Sequence, residues 1–230
     1  MLVVVGGHTR NIGKTSVMCS IIRSTPQLAW TSIKITQYGH GVCSKDGEVC
    51  DCAVPDHGYA LQRELNPAAG TDTSRFLSAG AQRSYWVRTA AGNLGEAVPA
   101  LRRLWESGGN TIVESNSILQ FVKPDLYLVV LDFGVEDFKE SSRRFLDRAD
   151  AVVLVSGGQP VWNGIAGTLW RDKPRFVVSP PDYYHADLVG FVTDRIKPNA
   201  TRFFETSGSE EMSWPPVATR RGWPPGRRGA

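Results

Sequence analysis

Residues 6–16 read GGHTRNIGKTS and follow an apolar run, LVVV at 2–5, with the character of a first strand. A strand that runs into glycines, then Gly-Lys-Thr opening an apolar-faced helix, makes a phosphate site for physical reasons. The N–H groups of the loop and the first helical turn converge on one point, and the helix dipole adds positive potential there. In such a site Lys14 reaches the β- and γ-phosphates of a nucleoside triphosphate, and the Thr15 hydroxyl binds the Mg²⁺ that bridges them. Gly7, Asn11, Gly13, Lys14, Thr15 and Ser16 are therefore the candidate nucleotide contacts. Gly6 and Gly7 are expected to permit the tight exit from the strand, and Gly13 a close backbone approach. Five residues separate Gly7 from Gly13, one more than the usual loop.

Working outward, apolar β-rich runs alternate with helical spacing. A helix is predicted over 13–24, with Val17, Ile21 and Ile22 on one face, and a second strand over 32–36. Residues 39–70 lose periodicity and are expected to be an insertion rich in Gly, Asp, Lys and Cys. A helix over 72–80 and a strand over 84–88 follow, then a helix over 94–107 with Leu94, Val98, Leu101 and Trp105 inward. Strands are predicted at 111–114, 126–132, 151–155 and 175–178, and helices at 138–147 and 184–195. Continuous Val/Ile/Leu runs belong to strands covered on both faces. The expected fold is thus α/β: three α/β/α layers around a mainly parallel sheet, one nucleotide-binding domain over 1–196. Residues 197–230, rich in Pro, Gly and Arg, are expected to be a disordered tail.

Composition narrows the partners. With 230 residues, 41% hydrophobic and 21% charged, the chain suits one soluble domain. Its net charge of +3 resides in the tail, so the body is neutral, which argues against nucleic acid as the main partner. No run approaches the roughly 18 apolar residues of a membrane span, and no targeting segment precedes the first strand, so a cytoplasmic location is expected.

Ligands of a parallel sheet lie outside the carboxyl ends of its strands. Lys34, in SIKITQYGH, leaves the second strand there. Glu114 ends the strand in NTIVESNSIL, as a direct or outer partner of Mg²⁺. In GTDTSRFLSAGA, residues 70–81, Thr71 or Asp72 caps a helix, or Asp72 stands near the ion or attacking water with Arg75 toward a phosphate. Lys14, Lys34, Asp72 and Glu114 are the candidate catalytic set. Residues 156–159 (SGGQ) and 179–182 (SPPD) are candidate nucleoside loops; without an NKxD motif, GTP and ATP both remain open.

Within the insertion, Cys43, Cys50, Cys52 and His57 supply three thiolates and an imidazole, a full tetrahedral set for structural Zn²⁺, with His40 as an alternative ligand. Cys19, on the first helix, suits a core role instead.

The spacing G-x5-G-K-T resembles the loops of dethiobiotin synthetase and the cobyrinic acid diamide synthetases, members of the SIMIBI class of P-loop NTPases. The lysine that marks the ATPase branch near the loop start is absent. Lys34 stands where dethiobiotin synthetases place a phosphate-holding lysine. The segments around Lys34, IVE at 112–114 and TDTSRFLSAGA at 71–81 are similar to those of molybdopterin-guanine dinucleotide biosynthesis protein B (MobB), which has a glycine where this chain has Ser115 and lacks the cysteine cluster. The MobB resemblance implies slow, Mg²⁺-dependent hydrolysis of GTP in molybdenum-cofactor maturation. The dethiobiotin synthetase resemblance implies an ATP-dependent small-molecule ligase or kinase. SIMIBI GTPases that mature metalloenzymes imply a third role, nucleotide-controlled metal handling with a maturation partner, and the class as a whole implies a homodimer.

Overall fold

The computed structural model describes residues 1–38, 58–155 and 158–195. The cysteine insertion, with His40, Cys43, Cys50, Cys52 and His57, lies outside the described residues, as do Ser156, Gly157 and the tail from 196 onward.

Eight strands form one sheet: β1 (Leu2–Gly7), β2 (Thr31–Tyr38), β3 (Tyr59–Glu64), β4 (Arg83–Ala90), β5 (Thr111–Glu114), β6 (Leu126–Leu131), β7 (Ala151–Val155) and β8 (Arg175–Val178). Their order is β3-β4-β2-β5-β1-β6-β7-β8. Every neighbouring pair is parallel except β3 with β4, which runs antiparallel at the edge. The helices are α1 (Lys14–Ser24), α2 (Asp72–Ser78), α3 (Leu94–Glu106), α4 (Glu140–Arg143) and α5 (Ala186–Arg195). The fold is the expected α/β architecture with a mainly parallel sheet. No helix among the described residues is long and apolar enough to cross a membrane.

Side-chain alternation builds a core on each face of the sheet. Val3, Val5, Leu126, Leu128 and Val130 meet Val17, Met18, Ile21 and Ile22 of α1, Phe76 of α2, and Leu188 and Val192 of α5. Val4, Tyr127, Val129 and Leu131 meet Leu94, Val98 and Leu101 of α3, with Phe145, Leu146, Trp162 and Trp170. All six residues of β6 are buried, which explains its unbroken apolar reading; each such side chain contributes about 1.5–3 kcal/mol.

Two expectations need correction. The insertion is not aperiodic throughout, because β3 lies inside the 39–70 span. The helix expected over 138–147 is reduced to α4 and a 3-10 turn at Leu146–Arg148. Its beginning is extended because the Lys139 N–H donates to the His8 carbonyl at 2.8 Å instead of closing a helical turn.

Candidate phosphate-binding site

The strand order puts the ends of β1, β2 and β5 side by side, and a cleft of about 640 Å³ opens above them. Gly7, Asn11, Gly13, Lys14, Thr15, Ser16, Lys34, Asp72, Arg75 and Glu114 all line it. The residues singled out in the loop, in β2, in β5 and in α2 thus come together in one place. Cys43, Cys50, Cys52 and His57 lie outside the described residues, and among those described no cluster of three or more His, Cys, Asp or Glu could hold a metal.

The loop shows how its sequence serves this cleft. Gly13 precedes α1 at φ 88, a left-handed conformation that costs other L-residues energy. No side chain caps α1, and the N–H groups of Lys14, Thr15 and Ser16 have no protein acceptor among the described residues. They remain available to an anion. The need for glycine at Gly7 differs from expectation. Gly7 still belongs to β1, and a Cβ there would come within 2.7 Å of the Lys14 side chain, so the requirement is for room beside the lysine.

Lys14 folds along Gly7, and its ammonium donates to the Thr9 carbonyl. Burial lowers its pKa to about 8, with Glu114 opposing the shift. The Thr15 hydroxyl donates to Glu114 Oε2 at 2.8 Å, and the Lys34 ammonium donates to Glu114 Oε1 at 2.5 Å. Lys34 also pairs with Asp72 at 2.9 Å. Burial works against the Lys34 charge, but Glu114 and Asp72 outweigh it and hold the pKa above the ordinary lysine value. Both oxygens of Glu114, which is 4% exposed, are taken by protein donors. With both oxygens occupied, Glu114 suits an outer role toward a cation, acting through Thr15.

The choice between cap and functional roles in residues 71–75 falls along the chain. Thr71 caps α2, its hydroxyl accepting from the Ser74 N–H at 3.1 Å. Asp72 is thereby released toward Lys34, and Arg75 reaches Ser16 of the loop, donating to its hydroxyl at 2.9 Å. Cys19 is buried in the core, and burial raises its thiol pKa to about 11.

Several contributors were not apparent from sequence. Asn116 clasps the backbone of Gly7, accepting from its N–H at 2.9 Å and donating to its carbonyl at 2.8 Å. His8 is fully buried; its Nε2 accepts from the Asp132 N–H at 3.0 Å, so Nδ1 is the donor to the Asp137 carbonyl at 2.8 Å. Burial lowers its pKa and favours the neutral ring. The Thr9 hydroxyl donates to Asp137 as well, so the loop is pinned to the segment after β6. Arg10 and Lys139 add charge to the cleft wall, and burial with Arg10 nearby lowers the Lys139 pKa. Tyr183, just past the SPPD segment, lies against Gly13, where a Cβ would stand 2.4 Å from its ring. Gly158 and Gln159 do not line the cleft. An Asn two residues after the β5 carboxylate was the one visible clue; the contacts of His8 and Tyr183 depend on distant segments.

No protein-family model matches the chain, and no curated protein does. Among solved structures, it is similar to LpxK from Aquifex aeolicus in complex with ATP, with 15% identity and a TM-score of 0.45, covering 76% of this chain. The chain spans about half of that protein, 53%. It is also similar to HypB from Helicobacter pylori in complex with nickel, with 13% identity and a TM-score of 0.45, covering 90% of this chain and 91% of the other.

Proposed function

We propose that this chain binds a nucleoside triphosphate with Mg²⁺ and directs chemistry to its γ-phosphate. The observation that carries this is the convergence of uncapped α1 amides, the Lys14 ammonium and the Lys34–Glu114–Thr15 chain on one cleft. The donor set fits the ion: the Thr15 hydroxyl is a hard oxygen, and the Glu114 carboxylate orients it. When bound, Mg²⁺ supplies charge neutralisation between phosphates. The protein's part is placement. Lys14 and the first-turn amides hold the β- and γ-phosphoryl oxygens, and Arg75 and Lys139 add positive potential. Tyr183 packs against Gly13 at the edge of the cleft.

Within that reading, the phosphate loop, IVE and the TDTSR helix support a MobB-type protein that hydrolyses GTP slowly in molybdenum-cofactor maturation, as part of a homodimer and with a maturation partner. A second reading, an ATP-dependent enzyme acting on a small molecule, is favoured by a further pocket that shares Lys34 and Asp72 with the cleft. Diphosphate release from GTP and from ATP, with Mg²⁺ and with chelator, tests the common claim. The expected result is slow release that requires Mg²⁺. No release from either nucleotide, or release indifferent to chelator, overturns it.

A further inference from the structure

A second pocket of about 260 Å³ adjoins the cleft, bounded by Lys34, Thr36, Gly70, Thr71, Asp72 and Trp86. Lys34, Thr36 and Asp72 belong to both cavities, so a molecule in the smaller one lies beside the region where the cleft would present a γ-phosphate. The pocket is built of fixed parts. Trp86 donates from Nε1 to the Thr36 hydroxyl at 2.9 Å, and the Arg88 guanidinium covers its ring at 4.7 Å from the centroid. At the end of β3, Glu64 accepts from the Thr71 and Thr73 hydroxyls at 3.0 and 3.1 Å and from the N–H groups of Leu65 and Asn66. These bonds order the turn leading into α2.

Charge separates the two cavities. The cleft gathers Arg10, Lys14, Lys139 and Arg75. The smaller pocket has Lys34 as the sole cation among its lining residues, and that ammonium is already paired with Glu114 and Asp72. Its described lining therefore offers no unpaired cation to an acid, and Arg88 is engaged over the Trp86 ring. A flat indole surface with a carboxylate and hydroxyls at its margin suits the apolar face and the O–H groups of a small ring. The volume is below the roughly 300–1,000 Å³ of drug-sized sites, which limits the occupant to about one ring.

We infer that this pocket binds the phosphoryl acceptor, a small neutral cyclic alcohol of the monosaccharide or cyclitol class, and that Asp72 takes its proton. The inference rests on the triphosphate reading of the neighbouring cleft. In the step, the acceptor hydroxyl oxygen forms a bond to the γ-phosphorus. The bond from that phosphorus to the β–γ bridging oxygen breaks, the nucleoside diphosphate leaves with the electron pair, and the hydroxyl proton passes to the Asp72 carboxylate. Lys34 holds Asp72 at the border of the two cavities and so positions it for both partners.

The test uses the full chain with γ-labelled ATP or GTP, Mg²⁺ and a panel of unphosphorylated monosaccharides and cyclitols, after triphosphate binding has been measured on the same sample. The expected result is label in an organic phosphate with at least one panel member. Trp86→Ala should then raise the KM for that acceptor at least tenfold, with the triphosphate Kd changed less than twofold, and Trp86→Phe should restore most of the loss. Asp72→Asn should lower kcat for transfer more than it raises the acceptor's KM. Triphosphate binding with label only in inorganic phosphate across the panel overturns this inference and leaves the cleft reading intact. Absence of triphosphate binding overturns both. Transfer that survives Trp86→Ala with unchanged acceptor KM places the acceptor elsewhere and also overturns it.

Discussion

Two helices point their first turns at the same cleft, and they begin in opposite ways. At α2, Thr71 caps the helix with its own hydroxyl, and Asp72 adds a carboxylate in the first turn. At α1 no side chain caps and no acidic residue stands in the first turn; the preceding residue is a left-handed glycine. The sequence satisfies one helix end internally and leaves the other to be satisfied by something that binds. A capped end supports the fold, whereas an open one with an ammonium beside it has stability to gain from a polyanion. The two are joined by Arg75 to Ser16 and by Lys34, which ties Asp72 of the capped helix to Glu114, the partner of Thr15.

The sharpest break of this contrast is at the open end. Lys14→Ala should weaken triphosphate binding by about 100-fold or more, since charge-assisted bonds to phosphate are lost, and leave the circular dichroism spectrum unchanged. Next comes the link between the two ends. Lys34→Met removes one donor from a carboxylate that is 4% exposed and should lower unfolding free energy by about 1.5–3 kcal/mol in urea titrations. Should stability stay unchanged, the Lys34–Glu114 pair is not holding the two helix ends together.

Proton linkage gives a third, smaller effect. The folded pKa of Lys14 is depressed to about 8 by burial, against an ordinary 10.5. The unfolded chain therefore binds more protons between those values, and this group's contribution to stability rises as pH goes from about 8 toward 10.5. Triphosphate binding, which requires the ammonium, should show the opposite trend: level affinity up to about pH 8, then a fall approaching tenfold per pH unit. Calorimetry across pH 7–10 checks this, and Lys14→Arg should flatten the fall. The smallest effect belongs to the closed end. Thr71→Ala should cost about 1 kcal/mol of stability with little change in triphosphate affinity. A large loss of affinity would mean that the two ends do not divide structure and binding as described.

The parts of this arrangement differed in how clearly residues announced them. Strands β1, β5, β6 and β7 are apolar runs buried on both faces, so composition alone marks them, and the glycines with Lys14 and Thr15 fix where β1 meets α1. Strand β3, YALQRE, is largely solvent-facing at the sheet edge and carries almost no core signal. Phe138 and Phe145 mimic a helical stripe, but Phe138 packs on His8 and Trp162 at 5.2 and 5.0 Å. The contact that straightens the backbone there, Lys139 to His8, spans 131 residues of chain and leaves no local trace. Lys34, Asp72, Arg75 and Glu114 were legible because polar residues at strand and helix ends of a parallel sheet face one edge. Asn116, Tyr183 and the Trp86 pocket depend on which segments meet, which spacing does not encode.

The open end of α1 is tested most directly by calorimetric titration of the full chain with GTP, ATP and their diphosphates in Mg²⁺. The account predicts one site per chain, tighter for a triphosphate than for its diphosphate. Saturable binding that ignores the γ-phosphate, or no binding of any of the four nucleotides, would contradict it.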